Sequence, residues 1–273
     1  MRRRVLVTGA GSGFGLETAL LLASLGFDVT GLVPGAAEQR GLQAAAAERR
    51  LDVDVLVADL CVPEQRSELV TGMDLWALVN NAGYMDAGQI RDVPISAARR
   101  QVEAMVLAPM DLALQALPSM VERGHGRIVN VTSSALNTVT PLTGWYTACK
   151  AALRQLNDSL RVEVAGCGID VIDMEPGGNA TGIWPRAGGE MSDRRAGSSR
   201  PDIYDRVLRH LGTAGAMMGD PGQVALAVAD ALTTGRPPRH KRIGPGAGWL
   251  RLADRTVPDV VRDRAVRLVS GLR

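Results

Sequence analysis

A single-domain α/β fold, a doubly wound parallel sheet with helices on both faces, is what this sequence predicts. Three observations carry the prediction. Short apolar runs alternate with segments of helical spacing along most of the chain. The first apolar run ends in a glycine-rich turn that leads directly into a helix-like segment. Later runs end in small polar residues, where open α/β sheets bind ligands beyond the carboxyl ends of their strands. At 273 residues and 46% hydrophobic composition, the chain can bury one sizeable core, and no repeat or linker divides it. Residues 1–273 therefore read as one domain.

The elements follow in order. Val5–Val7 reads as a buried strand, Thr8-Gly9-Ala10-Gly11-Ser12-Gly13-Phe14-Gly15 as the turn, and Leu16–Leu25 as the helix after it. Glycines let backbone N–H groups approach a pyrophosphate, and a helix N-terminus favours its charge. The spacing is Gly-x-x-x-Gly-x-Gly, not the standard Gly-x-Gly-x-x-Gly, so a turn that binds nothing would read the same way. Val29–Val33 and Val53–Val57 are the next strands, separated by a helix at Arg40–Arg49, and the second of them runs out at Asp59-Leu60. An isolated Asp there is more often a helix cap than a ligand. Leu75–Val79 ends in Asn80-Asn81-Ala82-Gly83; Ile95–Met120 is a long helix; Ile128–Val131 is a strand ending just before Ser133. A helix over Tyr146–Ala165 and a strand at Ile169–Ile172, ahead of Pro176-Gly177, complete the alternation. From about 183 to 220 the pattern weakens into a polar, loop-like insertion with a short helix at Tyr204–Leu211. Such an insertion is a substrate lid or a plain surface loop. The tail after Gly248 has helical apolar spacing and should pack on the body.

Tyr146 and Lys150 stand four apart, so on a helix they share one face. A nearby ammonium favours phenolate, which would lower the tyrosine pKa and make it a proton donor or acceptor near neutrality. The chain has three tyrosines and two lysines, so the pairing is a rare one here. Ser133 lies thirteen residues upstream, and a hydroxyl at a strand end facing that helix could hold a substrate oxygen.

In this order, Thr8-Gly9 through Gly13 and Gly15, Asp59-Leu60, Asn80 to Gly83, Ser133, Tyr146 with Lys150, then Pro176-Gly177 and Thr181, the motifs resemble the short-chain dehydrogenase/reductase family. The likeness covers residues 4 to 182, weakens toward 246, and is nearest in wording to the hydroxysteroid and retinol dehydrogenase-like branch. It implies a Rossmann-like fold and an NAD(P)-dependent enzyme interconverting a secondary alcohol and a ketone. By the same resemblance Ser133 would hydrogen-bond the substrate oxygen and Tyr146 would move its proton. Lys150 would lower the Tyr146 pKa and hold the nicotinamide ribose. Gly9, Ser12, Gly13, Phe14 and Gly15 would bind the pyrophosphate through backbone. Asp59 and Leu60 would contact the adenine, and Asn81, Ala82 and Gly83 would line the adenosine. Pro176, Gly177 and Thr181 would close over the nicotinamide. Met85, Leu136, Leu142, Trp145 and Trp184 would border an apolar substrate pocket, or equally serve as core. The helix carrying Tyr146 is often an interface in the family, implying a homodimer or homotetramer.

Composition excludes other classes. A net charge of +2 with scattered basic residues argues against a nucleic-acid partner. Arg2-Arg3-Arg4 precedes an apolar run too short for a signal peptide, and no run of about 18 apolar residues suggests a membrane span. Cys61, Cys149 and Cys167 have no metal or redox spacing; their odd number fits a reducing cytoplasm, and no metal site is expected.

Two departures from the family stand out. The usual catalytic Asn of the long helix falls on Met105, which has no donor and is a weak acceptor. That leaves a rewired enzyme, an idle nucleotide-binding sensor or scaffold, or a core-filling methionine. Dehydration or epimerisation on the same scaffold is a further reading. The second strand ends Val33-Pro34-Gly35, with neither the acid that selects NAD nor the Arg that accommodates NADP, although Arg40 could reach in. Lacking a repelling carboxylate, the strand tilts the reading toward NADP.

Overall fold

A computed structural model describes residues 3–67, 69–137, 139–177, 183–214, 220–244 and 257–269. Its centre is a seven-stranded parallel sheet: β1 (Arg4–Thr8), β2 (Asp28–Val33), β3 (Asp54–Val57), β4 (Ala77–Asn80), β5 (Gly126–Val131), β6 (Ile169–Pro176) and β7 (His240–Ile243). The order across it is β3-β2-β1-β4-β5-β6-β7. Val5, Leu6 and Val7 alternate faces yet are all fully buried, as a central strand covered on both sides requires. Chain direction across the sheet reverses between β1 and β4, and that switch opens a crevice at their carboxyl ends. Strand β7 lacks a sequence signal: His240-Lys241-Arg242 is polar, and it pairs along β6 as an edge.

Helices cover the two faces. On one lie α1 (Gly13–Ser24), α2 (Ala36–Glu48) and α9 (Pro221–Thr233). There Leu22, Leu42 and Val228 bury against Val5, Val7 and Val29. Asp220 caps α9, accepting from the Gly222 N–H at 2.9 Å, with Pro221 at the first helical position. The short α3 (Pro63–Arg66) leads back toward the other face. That face carries α4 (Ile95–Val102), a π-helical turn (Glu103–Leu107), α5 (Ala108–Arg123) and α6 (Gly144–Glu163). The single helix expected over 95–120 is therefore interrupted. Pro109 has no N–H to give the carbonyl of Met105, so the ordinary ladder is already broken where the π turn sits. Ile95–Arg123 is long and apolar enough to cross a membrane by length and composition, contrary to the expectation that no segment is. Leu112, Ala116 and Met120 instead bury against Leu78 and Ile128 of the sheet.

Three buried amides tie this face together. Asn80 at the end of β4 donates to Asn130 on β5 at 2.9 Å, and Asn130 donates to Asn157 on α6 at 2.6 Å. Asn80 also donates to the Pro109 carbonyl at 3.0 Å.

The insertion is more ordered than its sequence suggests. α7 (Ile183–Arg195) is a helix in place of the expected loop, and α8 (Pro201–Ala214) contains and extends the short helix expected at Tyr204–Leu211. Gly188-Gly189 lowers helix propensity, but Ile183, Trp184, Ala187 and Met191 share one face and pack with Met85, Tyr146 and Tyr204. The final helix, α10 (Asp259–Val269), bears out the helical spacing of the tail but not its packing: Val260, Val261 and Leu268 are exposed.

Candidate active site

A cavity of about 750 Å³ lies across the carboxyl ends of the strands. The β1–α1 turn forms one end. Gly9 has φ +67°, and a Cβ there would stand 2.8 Å from Ala82 Cα. Thr8 fastens this turn to the next: its Oγ1 accepts from the N–H groups of Asn81 and Ala82, each at 3.0 Å, while Asn81 Nδ2 donates to the Thr8 carbonyl at 3.0 Å. Gly9, Ser12, Gly13 and Phe14 line the cavity, as do Asp59, Leu60, Asn81, Ala82, Gly83, Pro176 and Gly177. Gly15 does not; it lies beneath the turn, against the Gly9 carbonyl. Thr181 lies outside the described residues. Ser12 is the N-cap of α1 without a side-chain cap bond, and the first turn carries no acid, so the helix N-terminus faces the cavity with its own N–H groups.

Ser133, Tyr146 and Lys150 meet at the other end. Ser133 follows β5, and Tyr146 and Lys150 share the buried face of α6. Tyr146 faces Ser133, and Ser133 Oγ accepts from the Ala135 N–H at 3.1 Å. Lys150 donates from Nζ to the Val131 carbonyl at 2.8 Å and lies 5.9 Å from the Tyr146 ring centroid. The expectation that Lys150 lowers the Tyr146 pKa is corrected here. Burial pushes the phenol up, and the opposing pull comes from Ser133. The ammonium itself is directed to Val131, and burial brings its pKa down to about 8. Cys149, between them, is pushed up to about 11 by burial and stays a packed thiol.

Met105 sits where the resemblance puts the fourth catalytic residue. It is fully buried in the π turn. A Cβ on Gly83 would meet its Sδ at 3.3 Å and Lys150 Nζ at 3.5 Å, so thioether, glycine and ammonium converge. Of the apolar residues expected around the substrate, Met85 and Trp184 line the cavity, whereas Leu136, Leu142 and Trp145 do not. Leu142 belongs to the neighbouring core.

Several lining residues escaped the sequence reading. Glu38 stands at the glycine-turn end. Tyr84 also lines the cavity, with Arg186 stacked 4.7 Å from its ring centroid and Arg100 nearby; Arg100 lies 3.6 Å from Asp59. Behind the site, buried Asp173 accepts from Thr132 Oγ1 at 2.6 Å and contacts His240 Nδ1 at 3.1 Å. Asp173, Glu175 and His240 offer donor atoms within 4.8 Å of one another. Arg154 pairs with Glu175 at 3.0 Å and Arg242 does so at 3.3 Å, so the cluster is neutralised by protein cations. None of these residues has a motif spacing; only folding brings β6, β7 and α6 together.

Comparison with known proteins agrees with this geometry. The model of the short chain dehydrogenase family matches residues 3–190. An oxidoreductase of Bacillus subtilis (strain 168), YusZ, is 33% identical over 232 residues, covering 82% of each chain. Human 11-beta-hydroxysteroid dehydrogenase type 2 is 30% identical over 289 residues, covering 96% of this chain and 69% of that protein. An actinorhodin polyketide ketoreductase variant solved with NADPH superposes with a TM-score of 0.76 at 26% identity, over 90% of this chain and 97% of that one.

Proposed function

The chain belongs to the short-chain dehydrogenase family, whose members are NAD(P)-dependent oxidoreductases, and from that premise we propose that it interconverts a secondary alcohol and a ketone on a fairly apolar small molecule. The observation that carries this reading is the meeting of Ser133, Tyr146 and Lys150 at one end of a cavity whose other end is a glycine turn. That turn fits a dinucleotide. A side chain on Gly9 or Gly15 would collide with backbone, and the α1 N-terminus supplies uncapped N–H groups. When bound, the nicotinamide supplies the hydride.

The remaining chemistry falls to the side chains. Ser133 Oγ hydrogen-bonds the substrate oxygen. Tyr146 gives that oxygen a proton in reduction or takes one in oxidation. Both groups line the same end of the cavity, so they can act on one substrate oxygen. Lys150, anchored on Val131 with Nζ 5.9 Å from the Tyr146 ring centroid, holds the nicotinamide ribose. All three are at most 9% exposed. Met85, Trp184, Ile183 and Val207 give the substrate end an apolar wall, in keeping with relatives named for hydroxysteroid and estradiol substrates. A homodimer or homotetramer through the helix that carries Tyr146 accords with exposed Leu156 and Val162 on that helix; a monomeric sedimentation coefficient would count against it.

The test is turnover on a panel of secondary alcohols and ketones, with Tyr146→Phe alongside. The variant should lose activity by roughly 10²–10⁴-fold while binding nucleotide as before. Near-normal turnover in it would sink the mechanism.

A further inference from the structure

The carboxylate missing from the end of β2 is supplied from the next helix. We infer that Glu38 selects the dinucleotide, accepting hydrogen bonds from the adenosine ribose 2′-hydroxyl and repelling a 2′-phosphate, so that the chain prefers NAD. This rests on the nicotinamide-dinucleotide reading of the cavity.

The argument begins with position. β2 ends at Val33, Gly35 caps α2, and Glu38 lies in the first turn of that helix. Its side chain folds back across the glycine turn. A Cβ on Gly11 would stand 2.6 Å from Glu38 Cβ and 3.0 Å from its Cγ, and a Cβ on Gly35 would stand 3.3 Å from Oε2. Gly11 thus makes room for the Glu38 stem and Gly35 for its carboxylate, and the residue lines the cavity beside Leu32 and Pro34. An ionised carboxylate is an acceptor only, suited to a hydroxyl and not to a phosphate.

Charge around it points the same way. Among the described residues no cation lies within ion-pair distance of Glu38. Arg40, the residue that could have read a phosphate, does not line the cavity. Of the two arginines that do, Arg100 stands beside Asp59 and Tyr84, and Arg186 pairs with Glu190 at 3.2 Å over Tyr84. The N-terminus of α2 would welcome a phosphate, but Glu38 occupies its first turn with the opposite charge. The tilt toward NADP came from the lack of an acid near Val33; Glu38 reverses it, although the actinorhodin ketoreductase was solved with NADPH.

The experiment titrates the purified protein with NADH and NADPH in parallel, following nicotinamide fluorescence. Wild type should bind NADH at least about tenfold more tightly, the scale of one charge-assisted contact. Glu38→Gln keeps the size and removes the charge; it should shrink the ratio to about twofold, chiefly by tightening NADPH. Arg40→Gln should leave the ratio alone. Tighter NADPH binding by wild type, an unchanged ratio in Glu38→Gln, or a shift toward NADH in Arg40→Gln overturns the assignment while leaving the cofactor reading intact. Failure of both nucleotides to bind overturns the cofactor reading, and the assignment with it.

Discussion

Two glycine substitutions, one residue type in two environments, put the nucleotide turn to a sharp test. Gly15 lies in the first turn of α1, and a Cβ there would stand 2.1 Å from the Gly9 carbonyl oxygen and 2.5 Å from Asn81 Nδ2. Neither can retreat cheaply. The oxygen is backbone, and the amide is held to the Thr8 carbonyl at 3.0 Å. Ordinary contact needs a separation about 1 Å larger, which opens the turn. Overpacking costs typically 1–3 kcal/mol, and a backbone clash belongs at the top of that range, about 3 kcal/mol. For a chain of this size that lowers the unfolding midpoint by roughly 6–12 °C. Gly41, on the exposed side of α2, has nothing within 4 Å of an added Cβ. Gly41→Ala should therefore gain about 1 kcal/mol of helix propensity and raise the midpoint by a few degrees. Thermal unfolding of both variants, followed by NADH titration, reads the result. Gly15→Ala should also bind at least about tenfold more weakly, and Gly41→Ala as wild type. A Gly15→Ala protein with the wild-type midpoint and affinity would refute the close-approach argument.

Two further outcomes follow from the buried end of the site. Lys150 titrates at about 8 in the fold against 10.5 in the open chain, so the unfolded state binds more protons across that window and stability rises with pH there. The gap corresponds to about 3 kcal/mol at 1.36 kcal/mol per unit. The stability difference between wild type and Lys150→Met, from urea unfolding at pH 7 to 10, should climb toward that figure; a flat difference contradicts the buried-ammonium picture. Met105→Asn exchanges a buried thioether for an amide beside Lys150. It should cost about 2–5 kcal/mol, the range for truncating a core methionine, and still fold. Turnover at or above wild type would show the asparagine position can be restored; a fall would show that Met105 belongs to a reshaped site.

Much of this was legible before folding, for a physical reason. Central parallel strands must be apolar on both faces, so Val5–Val7 and Ile128–Val131 announce themselves, and the turns after them carry the ligand-facing residues. Tyr146 and Lys150 were visible because helical periodicity alone makes them neighbours. What stayed hidden depends on distance in the chain. Glu38 reads as one more exposed acid on α2 until Gly11 and Gly35 are seen beneath it. β7 is too polar to read as a strand, yet β6 offers it an edge. The Tyr146 pKa was misjudged because spacing places two groups on one face without fixing where the ammonium points. α7 was obscured by Gly188-Gly189, whose local cost is outweighed by burial of Ala187 and Met191.

The segment after Gly83 belongs to both halves of the cavity. It continues the turn that Thr8 fastens, and within ten residues it is bonded to α7 and α8. The Gln89 N–H donates to Tyr204 Oη at 3.0 Å, and that hydroxyl donates to Asp92 at 2.8 Å. The Ala87 N–H donates to Glu190 at 3.0 Å, and Arg194 pairs with Asp86. Any excursion that lifts α7 and α8 together must break these bonds and wet Tyr204, which is wholly buried. A shift of α7 and α8 would thereby pull on the same stretch of chain that Thr8 holds against the glycine turn.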